Sequence, residues 1–385
     1  MLLALTLLPA IFLAFPVNAG PVILRGNPIS LPLSRHLNFT GTKNIVQSDL
    51  IRIRNLRTPS HDAARDTEDP ISNGLVSYVA SVGVGEPAKQ YNLIVDTGSS
   101  NTWVGAGEQY VKTATSRSTI YTVVSSEWRD TVTLAPDLII EDQSIGVASK
   151  STGFDGVDLT LGTLALDFLG IPVPLSKTAI PTVTDNLFSQ KTITENVISV
   201  SFEPPTSTAE SETNGEITFG GTDKSKYTGE ITYTPITSTS PASKYWGIDQ
   251  SISCIVDTGT TLIYLATNAF NAYQNATGGA PDSTTGLLSI TPKQFADLKD
   301  LNFVIAGKTF ALTPNAQIWP RSLNTAIGGT AGKIYLIVAD IGSVSGLGLD
   351  FINGMTFLER FYSVYDTANK RVGIATTPRT TATTN

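Results

Sequence analysis

Leu93-Ile94-Val95-Asp96-Thr97-Gly98-Ser99-Ser100 and Cys254-Ile255-Val256-Asp257-Thr258-Gly259-Thr260-Thr261 are two copies of one pattern. Each is an apolar run that reads as a buried strand, ends in Asp-Thr-Gly and continues with two hydroxyl residues. Strand-like residues follow both copies, Thr102-Trp103-Val104 after the first and Leu262-Ile263-Tyr264-Leu265 after the second. The copies stand 161 residues apart, so the repeat predicts two related lobes. Glycine lets the backbone turn sharply and approach a neighbouring chain, which suits Gly98 and Gly259. Thr97 and Thr258 are suited to hydrogen-bond across to the opposite loop. Ser99 and Thr260 are suited to bond the outer oxygens of their own carboxylates. A single Asp-Thr-Gly is an ordinary turn; its duplication makes Asp96 and Asp257 the candidate reactive pair.

The rest of the 385-residue chain is consistent with a large, turn-rich β protein. Hydrophobic residues make up 41% and charged residues 15%, a globular composition, while 32 Gly and 21 Pro point to many turns. The first residues, Met1 to Ala19, form an apolar run followed by small residues, which reads as a secretory signal. Residues 20–57 then carry Arg25, Arg35, Lys43, Arg52, Arg54 and Arg57 against Asp49 alone, whereas the whole chain has a net charge of −7. The two parts should attract each other, and the attraction should fade as carboxylates protonate in acid. That is how an acid-released propeptide is built. The acidic remainder argues against nucleic acid as a partner, and no later segment reads as a membrane span. Cys254 is the single cysteine, so stability rests on the core rather than on an internal disulfide. Asn38-Phe39-Thr40 and Asn275-Ala276-Thr277 are glycosylation sequons.

Several chemistries are excluded by what is missing. The two histidines, His36 and His61, both precede the expected mature domain. A Ser-His-Asp triad, a Cys-His pair and the usual zinc hydrolase sites all need histidine held by the folded scaffold. The sequence has no Gly-rich phosphate loop with a following Lys and no dinucleotide fingerprint. Carboxylates remain as the main acid and base groups.

From about Ser77 to Ala375 the chain resembles the pepsin-like aspartic peptidases, in particular secreted basidiomycete enzymes of the polyporopepsin type. The resemblance rests on Tyr78-Val79-Ala80-Ser81-Val82-Gly83-Val84-Gly85-Glu86-Pro87, on the segment from Asp96 to Val104, on Tyr245-Trp246-Gly247-Ile248, on Ile352-Asn353-Gly354, and on the run from Phe357 to Asp366. It implies an all-β, bilobal fold with a cleft between the lobes. The expected organisation is a signal peptide over 1–19, a propeptide over 20–70, a first lobe over 71–235 and a second over 236–385. Asp96 and Asp257 would meet at the cleft floor, share a proton and activate a water, as in the aspartic proteases that serve as the standard example of coupled carboxylates. The implied activity is acid endopeptidase, cutting between bulky apolar residues. Neither a metal nor a cofactor is implied, pepstatin-like compounds would inhibit, and the family suggests a monomer. Trp103 would line a substrate pocket, and Lys43 would neutralise the pair before activation.

The sequence also departs from the family. The flap tip normally reads Tyr-Gly, and here the region is Ser118-Thr119-Ile120-Tyr121-Thr122-Val123-Val124-Ser125-Ser126. Tyr121 is the candidate for the flap tyrosine, but no glycine follows it. After Phe154-Asp155-Gly156-Val157-Asp158 the apolar pair and Gly that buttress the first catalytic loop are expected to be lost, since the chain runs on as Leu159-Thr160-Leu161-Gly162. A hairpin is also short between Ile248 and Cys254. These deletions suit either a diverged chain that binds peptides without cutting them or a wrongly spliced reading of an ordinary gene. A carboxylate-pair glycosidase is a third reading, although such enzymes do not need two copies of one turn. Asp155 and Asp158 read as structural, Cys254 as buried, and the tail from Thr376 to Asn385 as disordered.

Overall fold

The structure, a computed structural model, describes residues 28–38, 44–57, 76–98, 102–123, 125–148, 159–162, 181–236 and 254–384. The basic segment supplies β1 (Ile29–Leu37) and α1 (Ile45–Arg57). The first lobe is built from β2 (Val76–Val84), β3 (Lys89–Asp96), β4 (Trp103–Val104), β5 (Arg117–Val123), β6 (Ser125–Ala135), β7 (Leu138–Val147), β8 (Leu159–Gly162) and α2 (Val183–Ser189). Next come β9 (Val197–Phe202), β10 (Ser211–Phe219) and β11 (Thr228–Pro235). The second lobe holds β12 (Cys254–Val256), β13 (Ile263–Leu265), α3 (Thr267–Thr277), β14 (Ala280–Pro281), β15 (Leu288–Ile290), α4 (Pro292–Asp297), β16 (Leu301–Ile305), β17 (Lys308–Leu312), β18 (Ile334–Leu336), β19 (Val338–Asp340), β20 (Phe351–Asn353) and α5 (Met355–Leu358). The chain closes with β21 (Phe361–Asp366) and β22 (Arg371–Thr376). The molecule is mainly β, as the composition suggested.

A 13-stranded sheet runs β11-β22-β21-β9-β10-β1-β2-β6-β7-β4, with β3 and β5 branching from β2 and β6. It carries strands from the basic segment, the first lobe and the chain's end, and so ties the two halves together. Its middle strands read as expected for burial on both faces: β9 and β21 are buried at every position. The hydroxyls among them are satisfied internally, since Ser199 Oγ donates to the Gly221 carbonyl at 2.9 Å and accepts from Tyr362 Oη at 2.7 Å. β1 alternates instead, with Leu31, Leu33, Arg35 and Leu37 inward. Pro32 lies where β1 has β10 as its neighbour but not yet β2, a position that tolerates a missing amide donor.

Each Asp-Thr-Gly copy ends a strand held by a parallel partner. β3 pairs with β8, with Asp96 opposite Gly162. β12 pairs with β20, with Val256 opposite Asn353, and the Asp257 amide donates to the Asn353 carbonyl at 3.1 Å. The expected loss of the first buttress is therefore corrected: Leu159-Thr160-Leu161-Gly162 itself forms it. A short strand ending in glycine meets the need. The short stretch between Ile248 and Cys254 lies outside the described residues.

The tail also differs from expectation. It is placed through Thr384 because the buried Arg360 guanidinium donates to the Arg379 and Ala382 carbonyls at 3.3 and 2.7 Å. Thr380 Oγ1 returns a bond to the Arg360 carbonyl at 2.6 Å, and Arg379 pairs with Glu203. Low sequence complexity did not prevent order, because buried backbone and guanidinium groups need partners. Among the described residues no helix is long and apolar enough to cross a membrane.

Candidate active site

Asp96 and Asp257 are both buried, 1% and 0% exposed, at the ends of β3 and β12. The two loops lock reciprocally. The Thr97 amide donates to Thr258 Oγ1 at 2.9 Å, and the Thr258 amide donates to Thr97 Oγ1 at 3.0 Å. Each hydroxyl then donates onward into the opposite strand, Thr97 to the Val256 carbonyl at 3.1 Å and Thr258 to the Val95 carbonyl at 2.8 Å. Four buried backbone groups are satisfied by two threonines, which is why a hydroxyl residue is needed at this position of each turn.

The glycines are required for close approach. The Gly98 and Gly259 amides donate to Oδ1 of their own aspartates at 2.8 and 2.9 Å. A Cβ on Gly98 would stand 2.8 Å from Asp257 Oδ1, and one on Gly259 would stand 2.6 Å from Asp96 Oδ1. Each glycine thus makes room for the carboxylate of the other loop. Thr260 Oγ1 donates to Asp257 Oδ2 at 2.6 Å. Ser99, its counterpart, lies outside the described residues.

A single guanidinium joins the two carboxylates. Arg52 of α1 donates through Nη2 and Nη1 to Asp96 at 2.6 and 2.9 Å, and through Nη2 and Nε to Asp257 at 3.1 and 3.2 Å. Burial raises the Asp257 pKa, Arg52 pulls it down and Asp96 pushes it up. The two carboxylates hold the Arg52 proton more tightly than usual. One helical turn earlier, the buried Asp49 carboxylate accepts the Thr261 and Leu262 amides at 3.1 and 3.0 Å. Burial lifts its pKa to about 6 despite these bonds. Ile45 and Ile53 are fully buried in the main core and seat the same helix.

The eukaryotic aspartyl protease family model matches residues 77–130 and 123–377. This chain belongs to the pepsin-like aspartic proteases. It is 60% identical to polyporopepsin of Irpex lacteus over 338 aligned residues, covering 82% of this chain and 98% of the relative. It is 30% identical to cathepsin D of Clupea harengus, covering 82% of this chain and 85% of the relative. The crystal structure of the aspartic proteinase from Irpex lacteus superposes with a TM-score of 0.75 at 53% identity, covering 93% of this chain and all of that one. The protease is an aspartic-type endopeptidase by this kinship.

Other expected site residues fall at different places. Trp103 is half-buried on β4 against Gly146, packed with Ile94, Val79, Ala106 and Ala148. Tyr121 lies on β5, which forms a hairpin with β6 in which Val123 faces Ser125. Val124 lies outside the described residues. Asn275 is exposed near the end of α3, whereas Asn38 is buried. Lys43 is outside the described residues, and Arg52 is the base that meets the aspartates. Sequence reading missed Arg52 and Asp49 because nothing local separates Arg52 from Arg54; only their i, i+3 spacing on a helix next to Ile53 hints at a shared face.

The Gly259 site gives a direct check. Gly259→Ala pushes a methyl into the space used by Asp96 and Arg52, so unfolding at neutral pH is expected to lose about 1–3 kcal/mol. Thr258→Val, which leaves the Thr97 amide without its acceptor, should lose a similar amount, about 1–3 kcal/mol. Both are read by thermal or denaturant unfolding against the parent.

Proposed function

We propose that the chain is a secreted acid endopeptidase made as a zymogen, with Asp96 and Asp257 as its catalytic pair. The observation that carries this reading is the pair of buried carboxylates on reciprocally locked loops, with one guanidinium between them. In the active form a water takes the place of Arg52. One carboxylate accepts a proton from that water as its oxygen attacks the scissile carbonyl, and the other donates its proton to the carbonyl oxygen. The tetrahedral diol then collapses, and a proton passes to the leaving amine. Thr97, Gly98, Thr258, Gly259 and Thr260 hold the pair in place, and Ser99 is assigned the same role by its match in the repeat to Thr260. The preference for bulky apolar residues, with Trp103 and Tyr121 lining the cleft, rests on the family resemblance. So do the signal peptide over 1–19, the propeptide over 20–70, the two lobes over 71–235 and 236–385, and the extracellular location.

Catalysis is tested by expressing the whole chain, acidifying it to about pH 3–4, where one carboxylate of such a pair keeps its proton, and following cleavage of a denatured protein. Cleavage that is stopped by pepstatin and lost in Asp96→Asn is expected. A folded, secreted parent that does not cleave would support the peptide-binding reading instead, for which the altered flap is the specific motive.

Two buried carboxyl sites respond to acid with opposite signs as the propeptide is released. The Arg52 guanidinium pairs with both carboxylates, so protonating them removes that attraction and weakens the docked state, even though burial keeps the Asp257 pKa above its ordinary value. Asp49 acts in the opposite sense. Its docked pKa of about 6 lies above the ordinary 3.8, so its charge penalises docking fully above pH 6, and the penalty is gone below 3.8. Acid release is therefore driven by the pair and not by Asp49. Arg52→Ala should start processing at higher pH than the parent. Asp49→Asn should raise the zymogen's melting temperature at pH 7, with the gain vanishing by about pH 3.8. Melting curves across this range check both signs.

The exposed Asn275 is proposed as the glycosylated sequon. Its Thr277 partner is nearly buried, with Oγ1 donating to the Gln274 carbonyl at 3.2 Å in the folded helix. Attachment would therefore precede folding. A glycosidase-sensitive mass from a eukaryotic host that is absent in Asn275→Gln is the expected result.

A further inference from the structure

The two Asp-Thr-Gly loops are near copies, but their surroundings are not. Val95, before Asp96, has its carbonyl held by the Thr258 hydroxyl at 2.8 Å. Among the described residues no second side chain donates to it. Val256, before Asp257, has its carbonyl held twice, by the Thr97 hydroxyl at 3.1 Å and by Tyr365 Oη at 3.2 Å. Tyr365 Oη also lies 3.5 Å from Thr97 Oγ1, a marginal approach, since the single Thr97 hydrogen is better used on the carbonyl. Tyr365 is completely buried on β21, between β9 and β22 in the sheet that ties the halves together.

We infer that Tyr365 is a positioning residue for the catalytic pair, pinning the Val256 carbonyl, and with it the strand end that carries Asp257, to the sheet between the lobes. The inference rests on the reading that Asp96 and Asp257 are that pair. A phenol suits this role, because packing fixes the ring and the hydroxyl supplies one donor at a set distance. Burial also keeps the phenol protonated, so it remains a donor over the whole working range. The bond is one-sided, so it fixes Asp257 relative to the sheet while Asp96 is fixed through β3 and β8. Two carboxylates share a proton only while they are held close, and the gap between their two titrations grows with that coupling. Losing the Tyr365 hydroxyl should let the Asp257 loop relax and the coupling weaken.

A neighbour on the same strand provides the control. Tyr362 is equally buried, but its hydroxyl donates to Ser199 Oγ at 2.7 Å and accepts the Asp223 amide at 2.9 Å, away from the loops. Tyr365→Phe and Tyr362→Phe each delete one buried hydroxyl, so a purely structural role would affect them alike. Both are made in the full chain, acid-processed and assayed from pH 2 to 7, a range of about five units around the coupled titrations. For Tyr365→Phe, kcat should fall roughly tenfold, as for a small misplacement of reacting groups. KM should stay within about twofold, and the two limbs of the pH profile should move toward each other. Tyr362→Phe should lose stability but keep kcat and both limbs.

Unchanged kcat and limbs in Tyr365→Phe, or an equal loss in Tyr362→Phe, would overturn the inference. If Tyr365→Phe does not fold, a fluorotyrosine at 365 keeps the shape, alters donor strength and must move the same limbs. If the parent shows no Asp96-dependent turnover, the proposed function fails separately. The positioning role is then decided by carbon-13 NMR titration of the aspartate carboxyls, where Tyr365→Phe must bring the pair's two pKa values closer together. An unchanged titration there would sink it.

Discussion

Two threonine hydroxyls hold together loops that are 161 residues apart in the chain, and most of the site follows from them. Because Thr97 and Thr258 exchange amide bonds, the two turns must sit face to face. Because they sit face to face, each carboxylate enters the space where the other loop's third residue would carry a Cβ, and only glycine fits there. Each hydroxyl also reaches the carbonyl before the opposite aspartate, so the strands β3 and β12 are aligned by the same bonds. The parallel partners β8 and β20 then hold those strands from behind. Buried carboxylates in such a setting favour the neutral form, and this local constraint is the origin of the proton sharing on which the proposed chemistry depends.

The segment from Ile29 to Arg57 uses that arrangement rather than merely covering it. Arg52 adds the one positive charge that two buried carboxylates can hold between them, and Asp49 caps amides just past the second turn. β1 is anchored separately. Its buried Arg35 pairs with Glu212 at 3.2 Å and lies near Glu359, which burial lifts to a pKa of about 7 while Arg35 pulls it down. Apolar contacts from Leu33, Leu37, Ile45 and Ile53 join both elements to the main core. Charge at a few buried points and apolar area along the whole segment hold it against both loops.

The duplicated turn, the mainly β character and the candidate pair were legible because they are local patterns repeated in the chain. The first buttress was not, since only its register with Leu93–Asp96 marks Leu159–Gly162 as the partner strand. The tail looked disordered because composition says nothing of a buried arginine some twenty residues earlier that needs acceptors. The family likeness points to Lys43 as the neutralising base, and nothing in the basic run singles out Arg52, which is the base that reaches the aspartates.

By itself the sequence determined which residue types could do chemistry: two aspartates in matching turns, with histidine absent from the expected mature part and one buried cysteine. It also determined the strand character of the flanking runs, since alternation and apolar continuity are properties of neighbours in the chain. Only the tertiary structure decided which base meets the aspartates, which short strand buttresses the first loop, and that a phenol reaches the carbonyl before the second aspartate. Those outcomes depend on contacts across tens to hundreds of residues, where register and helix phase choose among chemically similar candidates and local sequence carries no record of the choice.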